Sequence, residues 1–124
     1  MFDQTVYVQV MKNALTVLNV QENKQVHIEA VKPFSTERLA VGHFNPAEET
    51  LKKGFAQVCS KSLFSPSPIV VMHQLYLAEG GLCEVEDRIL RELALGAGGR
   101  QVYIWSGETL SREQLLGKVY ASSV

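Results

Sequence analysis

Two short apolar runs, at residues 69–72 and 102–105, place the strongest limit on the fold of this chain. Neither run alternates with polar residues, which is typical of parallel strands that are buried on both faces of a sheet. Residues 84–95, between the two runs, carry apolar side chains at helical spacing. A strand, a helix and a second strand in this order predict a βαβ crossover.

The amino-terminal third is predicted to form antiparallel strands. Alternating apolar residues indicate strands at residues 5–10 and 26–30, and residues 15–20 are interpreted as a second strand between them. The first two are too close for a parallel return, which needs roughly a dozen residues, so we expect a hairpin. Residues 39–43 are a further candidate, for a short edge strand.

Three helices are predicted from start signals and spacing. Asn45 is expected to cap the first helix, with Pro46 at its first position and Glu48 in its first turn. Ser111 and Gln114 have the spacing of a capping box at the start of the last helix. The predicted apolar faces are Leu51, Phe55, Val58 and Cys59 on the first helix, Val85, Ile89 and Leu93 on the second, and Leu115, Leu116, Val119 and Tyr120 on the third.

The element order is therefore β-β-β-(β)-α-β-α-β-α, which we interpret as one domain over residues 1–124. A hairpin meander followed by βαβ crossovers predicts an α/β fold, with a five-stranded mixed sheet and packed helices.

Composition argues against several classes of function. The 124 residues include 12 basic and 13 acidic side chains, for a net charge of −1, whereas a nucleic-acid-binding protein needs a basic surface. No apolar run approaches the roughly 20 residues that span a bilayer, and no secretion signal is recognisable, so we expect a cytoplasmic protein. Cys59 and Cys83 have no histidine at ligand spacing, so no metal site is predicted, and Cys59 is expected to be a small core residue.

Residues 64–104 resemble the first subdomain, IA, of the bacterial actin MreB. The match rests on residues 85–104, where a helix that begins Val-Glu-Asp-Arg ends in a Gly-Ala-Gly turn before a short apolar strand. The sequence Ser-Pro-Ser-Pro at residues 65–68, ahead of an apolar strand, is a second shared signature. The resemblance implies an actin-like, ribonuclease-H-like subdomain. In full-length actins, ATP lies between two such domains.

The resemblance also locates nucleotide motifs that have changed. MreB carries Asp-Leu-Gly-Thr between its first two strands, where the aspartate acts on the metal through water and the glycine lets backbone amides approach phosphate. The matching residues here are Val10, Met11, Lys12 and Asn13, a degenerate phosphate loop. After the last strand, the Glu-Glu-Pro of the family is replaced by Ser-Gly-Glu at residues 106–108.

These departures predict a chain that is not an enzyme, has no catalytic residues and binds no cofactor. The first hypothesis is a non-catalytic actin-like subdomain, a pseudo-ATPase that binds a protein partner or a second copy of itself. The resemblance links it to the cell-shape or cytoskeletal machinery at the membrane. The alternative is a nucleotide-binding, actin-like ATPase fragment that completes its site by oligomerisation, although Lys12 cannot replace the close backbone approach that glycine allows.

Leu63 and Phe64 match the short apolar loop by which MreB dips into the membrane. Two bulky apolar side chains beside Lys61 suit weak, peripheral contact with an anionic membrane. Folding of the same side chains back onto the preceding helix is the alternative, and both interpretations are open at this point.

Overall fold

The computed structural model describes residues 4–59 and 67–121. The elements within these residues are, in chain order, β1 (Thr5–Met11), β2 (Ala14–Asn19), β3 (Lys24–Glu29), α1 (Phe44–Val58), β4 (Ile69–Gln74), α2 (Glu84–Gly96), β5 (Gln101–Trp105), α3 (Arg112–Leu116) and a 3₁₀ turn (Val119–Ala121). The strands form one sheet in the order β3-β2-β1-β4-β5. This confirms the predicted α/β class with a five-stranded mixed sheet.

Strand β1 lies at the centre of the sheet. It pairs antiparallel with β2 and parallel with β4. Strand β2 also pairs antiparallel with β3, and β4 pairs parallel with β5. The predicted hairpin and the predicted βαβ crossover are therefore both present, and they meet at the central strand.

The two faces of the sheet carry separate apolar clusters, because successive side chains of a strand point to opposite faces. Helices α1 and α2 cover the first face. The first cluster lies there and includes the fully buried Val8, Met72 and Leu93. Helix α3 and the 3₁₀ turn cover part of the second face, around Tyr7, Val71 and Tyr120 in the second cluster.

The end of α1 is held by a buried side chain of the sheet. Asn19 Nδ2 donates to Val58 O at 2.8 Å, which satisfies one of the carbonyl groups that a helix leaves unpaired at its carboxyl end. Asn19 is fully buried. The predicted apolar residues Leu51, Phe55 and Val58 all lie on the buried face of α1.

The predicted start of α1 is wrong. The helix begins at Phe44, with His43 at the N-cap and no side-chain cap, and its first turn contains no acidic residue. Phe44 packs against the first cluster, and this burial extends the helix towards its amino end, past the Asn45 cap that the sequence suggested. Glu48 instead pairs with Lys52 one turn later, at 3.7 Å.

The optional strand at residues 39–43 is also wrong, since the structure places no strand there. The segment folds back on itself around Phe34, which is fully buried. The amides of Gly42 and His43 both donate to Phe34 O, at 2.8 and 2.9 Å. Local hydrogen bonds around a buried aromatic residue thus replace pairing with the sheet.

Two predicted helix faces need correction. Val85 is 62% exposed, because the buried face of α2 is formed by Leu90, Leu93 and Ala94. The last predicted helix is two pieces, since Lys118 has a positive φ of 56° and separates α3 from the 3₁₀ turn. Leu116 is consequently exposed. The predicted capping box is confirmed, with Gln114 N donating to Ser111 Oγ at 3.1 Å and Ser111 N donating to Gln114 Oε1 at 2.9 Å.

Candidate functional site

The carboxyl ends of three parallel strands lie side by side at one end of the sheet. Strands β1, β4 and β5 end there at Met11, Gln74 and Trp105, and the connections that follow them lie side by side. Ligands of open α/β sheets bind beyond the carboxyl ends of the strands, where the connections diverge. A ligand site is therefore expected beyond the carboxyl ends of these strands.

A cleft of about 370 Å³ lies at this end of the sheet, between the carboxyl ends of β4 and β5. Its lining residues are His73, Gln74, Leu75, Ala78, Glu79, Gly81, Ser106 and Gly107. The cleft thus combines the last two residues of β4 with the loops that follow β4 and β5.

His73 is buried in this wall and pairs with Tyr7 of β1. Its Nε2 lies 2.9 Å from Gly107 O, which can only accept, so Nε2 carries the proton. Nδ1 then accepts from Tyr7 Oη at 2.6 Å. Tyr7 Oη in turn accepts from Leu110 N at 3.1 Å. The chain of bonds ties the loop after β5 to the two central strands.

The surroundings keep both members of this pair neutral. Burial lowers the pKa of His73, with the hydrogen bond to Gly107 opposing the shift. Burial also raises the pKa of Tyr7, with the amide of Leu110 opposing it. A neutral imidazole whose two nitrogens are both hydrogen-bonded is suited to a positioning role.

Gln74 forms the other polar part of the wall and is buried. Its Nε2 donates to Glu86 Oε2 at 3.2 Å and makes a longer contact with Leu77 O at 3.4 Å. Glu86 Oε1 accepts from Cys83 N at 3.0 Å, and this bond is the main reason that the pKa of Glu86 is lowered. No described residue donates to Gln74 Oε1, so this oxygen is the acceptor that the side chain can offer to the cleft.

The degenerate phosphate loop forms the turn between β1 and β2, where the sequence predicts it. Val10 is fully buried in the first cluster, and its carbonyl accepts from Leu75 N at 2.8 Å. Met11 pairs with Ala14 across the turn. Lys12 is exposed, with Nζ 5.9 Å from the centre of the Tyr76 ring.

The amide of this turn is already bonded within the chain. Asn13 has a positive φ of 55°, and its N–H donates to Ser35 Oγ at 2.9 Å. Asn13 Oδ1 accepts from Phe34 N and Ser35 N, at 2.9 and 2.7 Å. These hydrogen bonds hold the loop between β3 and α1 over the turn. A phosphate would have to displace Ser35 Oγ to reach the Asn13 amide.

The other predicted site features are placed as follows. Cys59 follows α1, packs partly against the first cluster, and has its thiol pKa raised by burial, and secondarily by Glu22, to about 11. Cys83 is exposed, and both cysteines are free. Tyr103 and Trp105 pack against the second cluster and are half-buried. Across residues 4–59 and 67–121, no group of three or more histidine, cysteine or acidic side chains is arranged to hold a metal ion.

Leu63 and Phe64, the predicted membrane or partner contact, lie outside the described residues. None of the helices that the structure describes is long and apolar enough to cross a membrane.

Sequence reasoning missed Tyr7, His73, Gln74 and Ser35. For His73 and Gln74, a signal is present in the sequence of β4, Ile-Val-Val-Met-His-Gln. These two polar residues extend a buried apolar run to the carboxyl end of the strand. Contacts of Tyr7 with His73 and of Asn13 with Ser35 span 66 and 22 residues. No local pattern reveals such pairs.

Comparison with solved structures identifies the fold class. The ethanolamine utilization protein EutJ from Carboxydothermus hydrogenoformans superposes with a TM-score of 0.54 over 86% of this chain, at 11% sequence identity. This chain covers 37% of EutJ. The likeness supports an actin-like fold for the chain, which is the class that the five-stranded mixed sheet also indicates.

The family is identified from sequence. No family model matches the chain, but it is 34% identical over 96 residues to the uncharacterized protein YjaA of Escherichia coli (strain K12). The aligned part is 73% of this chain and 74% of YjaA. The chain belongs to the YjaA family. Kinship with MreB in particular stays a prediction.

Proposed function

We propose that this chain is a non-catalytic, actin-like domain that acts by binding protein. The observation that carries the proposal is strand β5. Among residues 4–59 and 67–121 it pairs with β4 alone. Its sequence Gln-Val-Tyr-Ile-Trp has no charge, and its four apolar residues are half-exposed. Backbone groups along an apolar sheet edge are a ready template for a strand from another chain.

The turn between β1 and β2 supports the non-catalytic part of the proposal. The carboxylate position of the family motif holds Val10, which is fully buried. The amide of Asn13 is bonded to Ser35, so it is not directed at a ligand. A nucleotide would therefore have to open the loop between β3 and α1 before its phosphates could reach the turn.

Thermal unfolding with and without ATP and Mg²⁺ tests this part. A ligand that binds only the folded state raises the melting temperature through mass action. We expect no shift up to millimolar nucleotide. A shift that grows with nucleotide concentration would overturn the proposal and favour the alternative, a nucleotide-binding fragment that completes its site by oligomerisation.

A pull-down tests the binding part. A tagged chain is compared with its Ile104→Lys variant in β5 and with Ile28→Lys in β3 as a matched control, since both isoleucines are half-buried on edge strands. We expect the parent chain and Ile28→Lys to retain a bound protein and Ile104→Lys to lose it. The untagged chain itself counts as a retained protein. Retention that does not depend on β5 would contradict the assigned surface.

The resemblance to MreB supports a search for partners in the cell-shape machinery at the membrane. For membrane contact, Leu63→Ser combined with Phe64→Ser is compared with the parent chain for sedimentation with anionic liposomes. Failure of the parent chain to sediment would remove the membrane from the proposal.

A further inference from the structure

We infer that β5 is a dimerisation strand, which pairs antiparallel with β5 of a second copy and joins the two sheets into one. This inference rests on the proposed function and names both the surface and the partner. It is argued from the contrast between the sheet edges, from the symmetry of β5 and from the charges at its ends.

The two edges of the sheet differ in how they are protected. Strand β3 begins with Lys24, ends with Glu29 and exposes four of its six residues, all of them polar. Charged side chains are a usual means of keeping an edge strand from pairing. Strand β5 has neither a charge nor a proline. Its edge is therefore the one at which pairing also buries apolar surface.

An antiparallel pair of identical strands is related by a two-fold axis, so the same residues serve both copies. With the axis at Ile104, Tyr103 lies opposite Trp105 of the partner subunit, and both point to the same face of the joined sheet. Aromatic pairs across neighbouring antiparallel strands are stabilising. Strand β5 is thus complementary to itself in this register.

The charges that flank β5 favour the antiparallel arrangement. Arg100 comes directly before the strand, and Glu108 follows it. Antiparallel pairing brings the arginine end of one strand to the glutamate end of the other, whereas parallel pairing would place the two arginines side by side. Opposite charges at the ends of an interface select orientation more than they add affinity.

Both layers of the fold reach this edge. Arg91 of α2 lies over one side of β5, with Nη1 3.3 Å from Val102 O. On the other side the Tyr120 ring packs edge-on against Tyr103, with the ring centres 5.0 Å apart. A stable interface buries about 800 Å² per partner, against a total surface of 7206 Å². A five-residue strand alone buries less surface than this, so α2 and the 3₁₀ turn must also contribute side chains to the interface.

Sedimentation over a range of protein concentrations tests the inference. The wild-type chain is expected to form a dimer. Ile104→Lys places a charge in the paired edge, where its ammonium loses water, so we expect the dissociation constant to rise roughly 10- to 100-fold or the dimer to be lost. Ile28→Lys makes the same change on the same face at the β3 edge, and should dimerise like the wild type.

Amide hydrogen exchange of the wild-type chain gives a second test that needs no variant. Amides of β5 should gain protection as the protein concentration rises, while amides of β3 should not change. A wild-type chain that stays monomeric at its highest soluble concentration, an Ile104→Lys chain that still dimerises, or equal changes at both edges would overturn the dimer. A monomeric chain leaves the proposed function intact, because binding of a different protein through β5 is tested by the pull-down and the non-catalytic part is tested by the thermal shift with ATP and Mg²⁺.

Discussion

His73 illustrates how a polar residue is accommodated at the end of a buried strand. The ring is 1% exposed, yet each of its nitrogens has a partner, Tyr7 Oη for Nδ1 and Gly107 O for Nε2. Burial of polar groups costs little when their hydrogen bonds are complete. The arrangement requires a neutral ring, because a second ring proton would have to displace the proton that Tyr7 donates.

The free energy of unfolding should therefore depend on pH through His73. Its pKa is below 6.5 in the folded chain and close to 6.5 when unfolded. Between these two values the unfolded state binds more protons, so stability rises with pH, by at most about 1.4 kcal/mol per pH unit. We expect stability to be fully present above pH 6.5 and to fall as the pH drops below it.

Urea unfolding between pH 5 and pH 8 measures this dependence. His73→Gln should flatten the slope below pH 6.5, whatever its effect on stability at neutral pH. His27→Gln is the control, since His27 is exposed on β3. If His73→Gln and wild type have the same slope, the assigned neutral state of His73 is wrong.

At the scale of elements, the position of α1 depends on a close approach between helix and sheet. Gly54 faces β2, and a Cβ atom at this position would lie 2.7 Å from Val17 Cγ2 and 3.4 Å from Ile28 Cδ1. Val17 is fully buried in the first cluster. A β-branched side chain in a packed core has no alternative rotamer into which it can move. The glycine therefore sets the distance between α1 and the sheet.

Gly54→Ala is expected to destabilise the fold by about 1–3 kcal/mol, because overpacking outweighs the better helix propensity of alanine. Chemical denaturation measures the change. Gln57→Ala, on the exposed side of the same helix, should change stability by less than about 0.5 kcal/mol. A Gly54→Ala variant as stable as the wild type would show that α1 can move away from β2 at little cost.

At the scale of the whole molecule, the two apolar clusters share the central strands. Val8 and Met72 face the first cluster, while Tyr7 and Val71 on the same strands face the second. Neither cluster can be lost without disrupting β1 and β4. The described part of the chain is therefore expected to unfold in one cooperative step.

Trp105, the one tryptophan of the sequence, provides the measurement. It packs against the second cluster, with Nε1 donating to Glu108 O at 2.8 Å, whereas the circular dichroism of α1 and α2 reports on the first. We expect both signals to show the same midpoint in denaturant. A tryptophan signal that changes first would mean that the second face opens independently.

The types of the elements followed from local pattern. Alternation at residues 5–10 and the apolar run at 69–72 were sufficient to predict β1 and β4, because the period of a side-chain pattern reflects which faces of a strand are buried. The sequence predicts that β4 ends at Met72, two residues early, because His73 and Gln74 are polar. Their burial depends on partners elsewhere in the chain.

What the sequence determined alone was the class of fold and the order of its elements, because period, caps and turns are local properties of a chain. The tertiary structure decided the rest. It placed Ser35 over the turn at Asn13, placed Tyr7 beside His73, and made β5 the last strand of the sheet that the described residues form. These features depend on residues far apart in sequence, or on which strand lies last in the sheet, and neither is set by the neighbours of a residue along the chain.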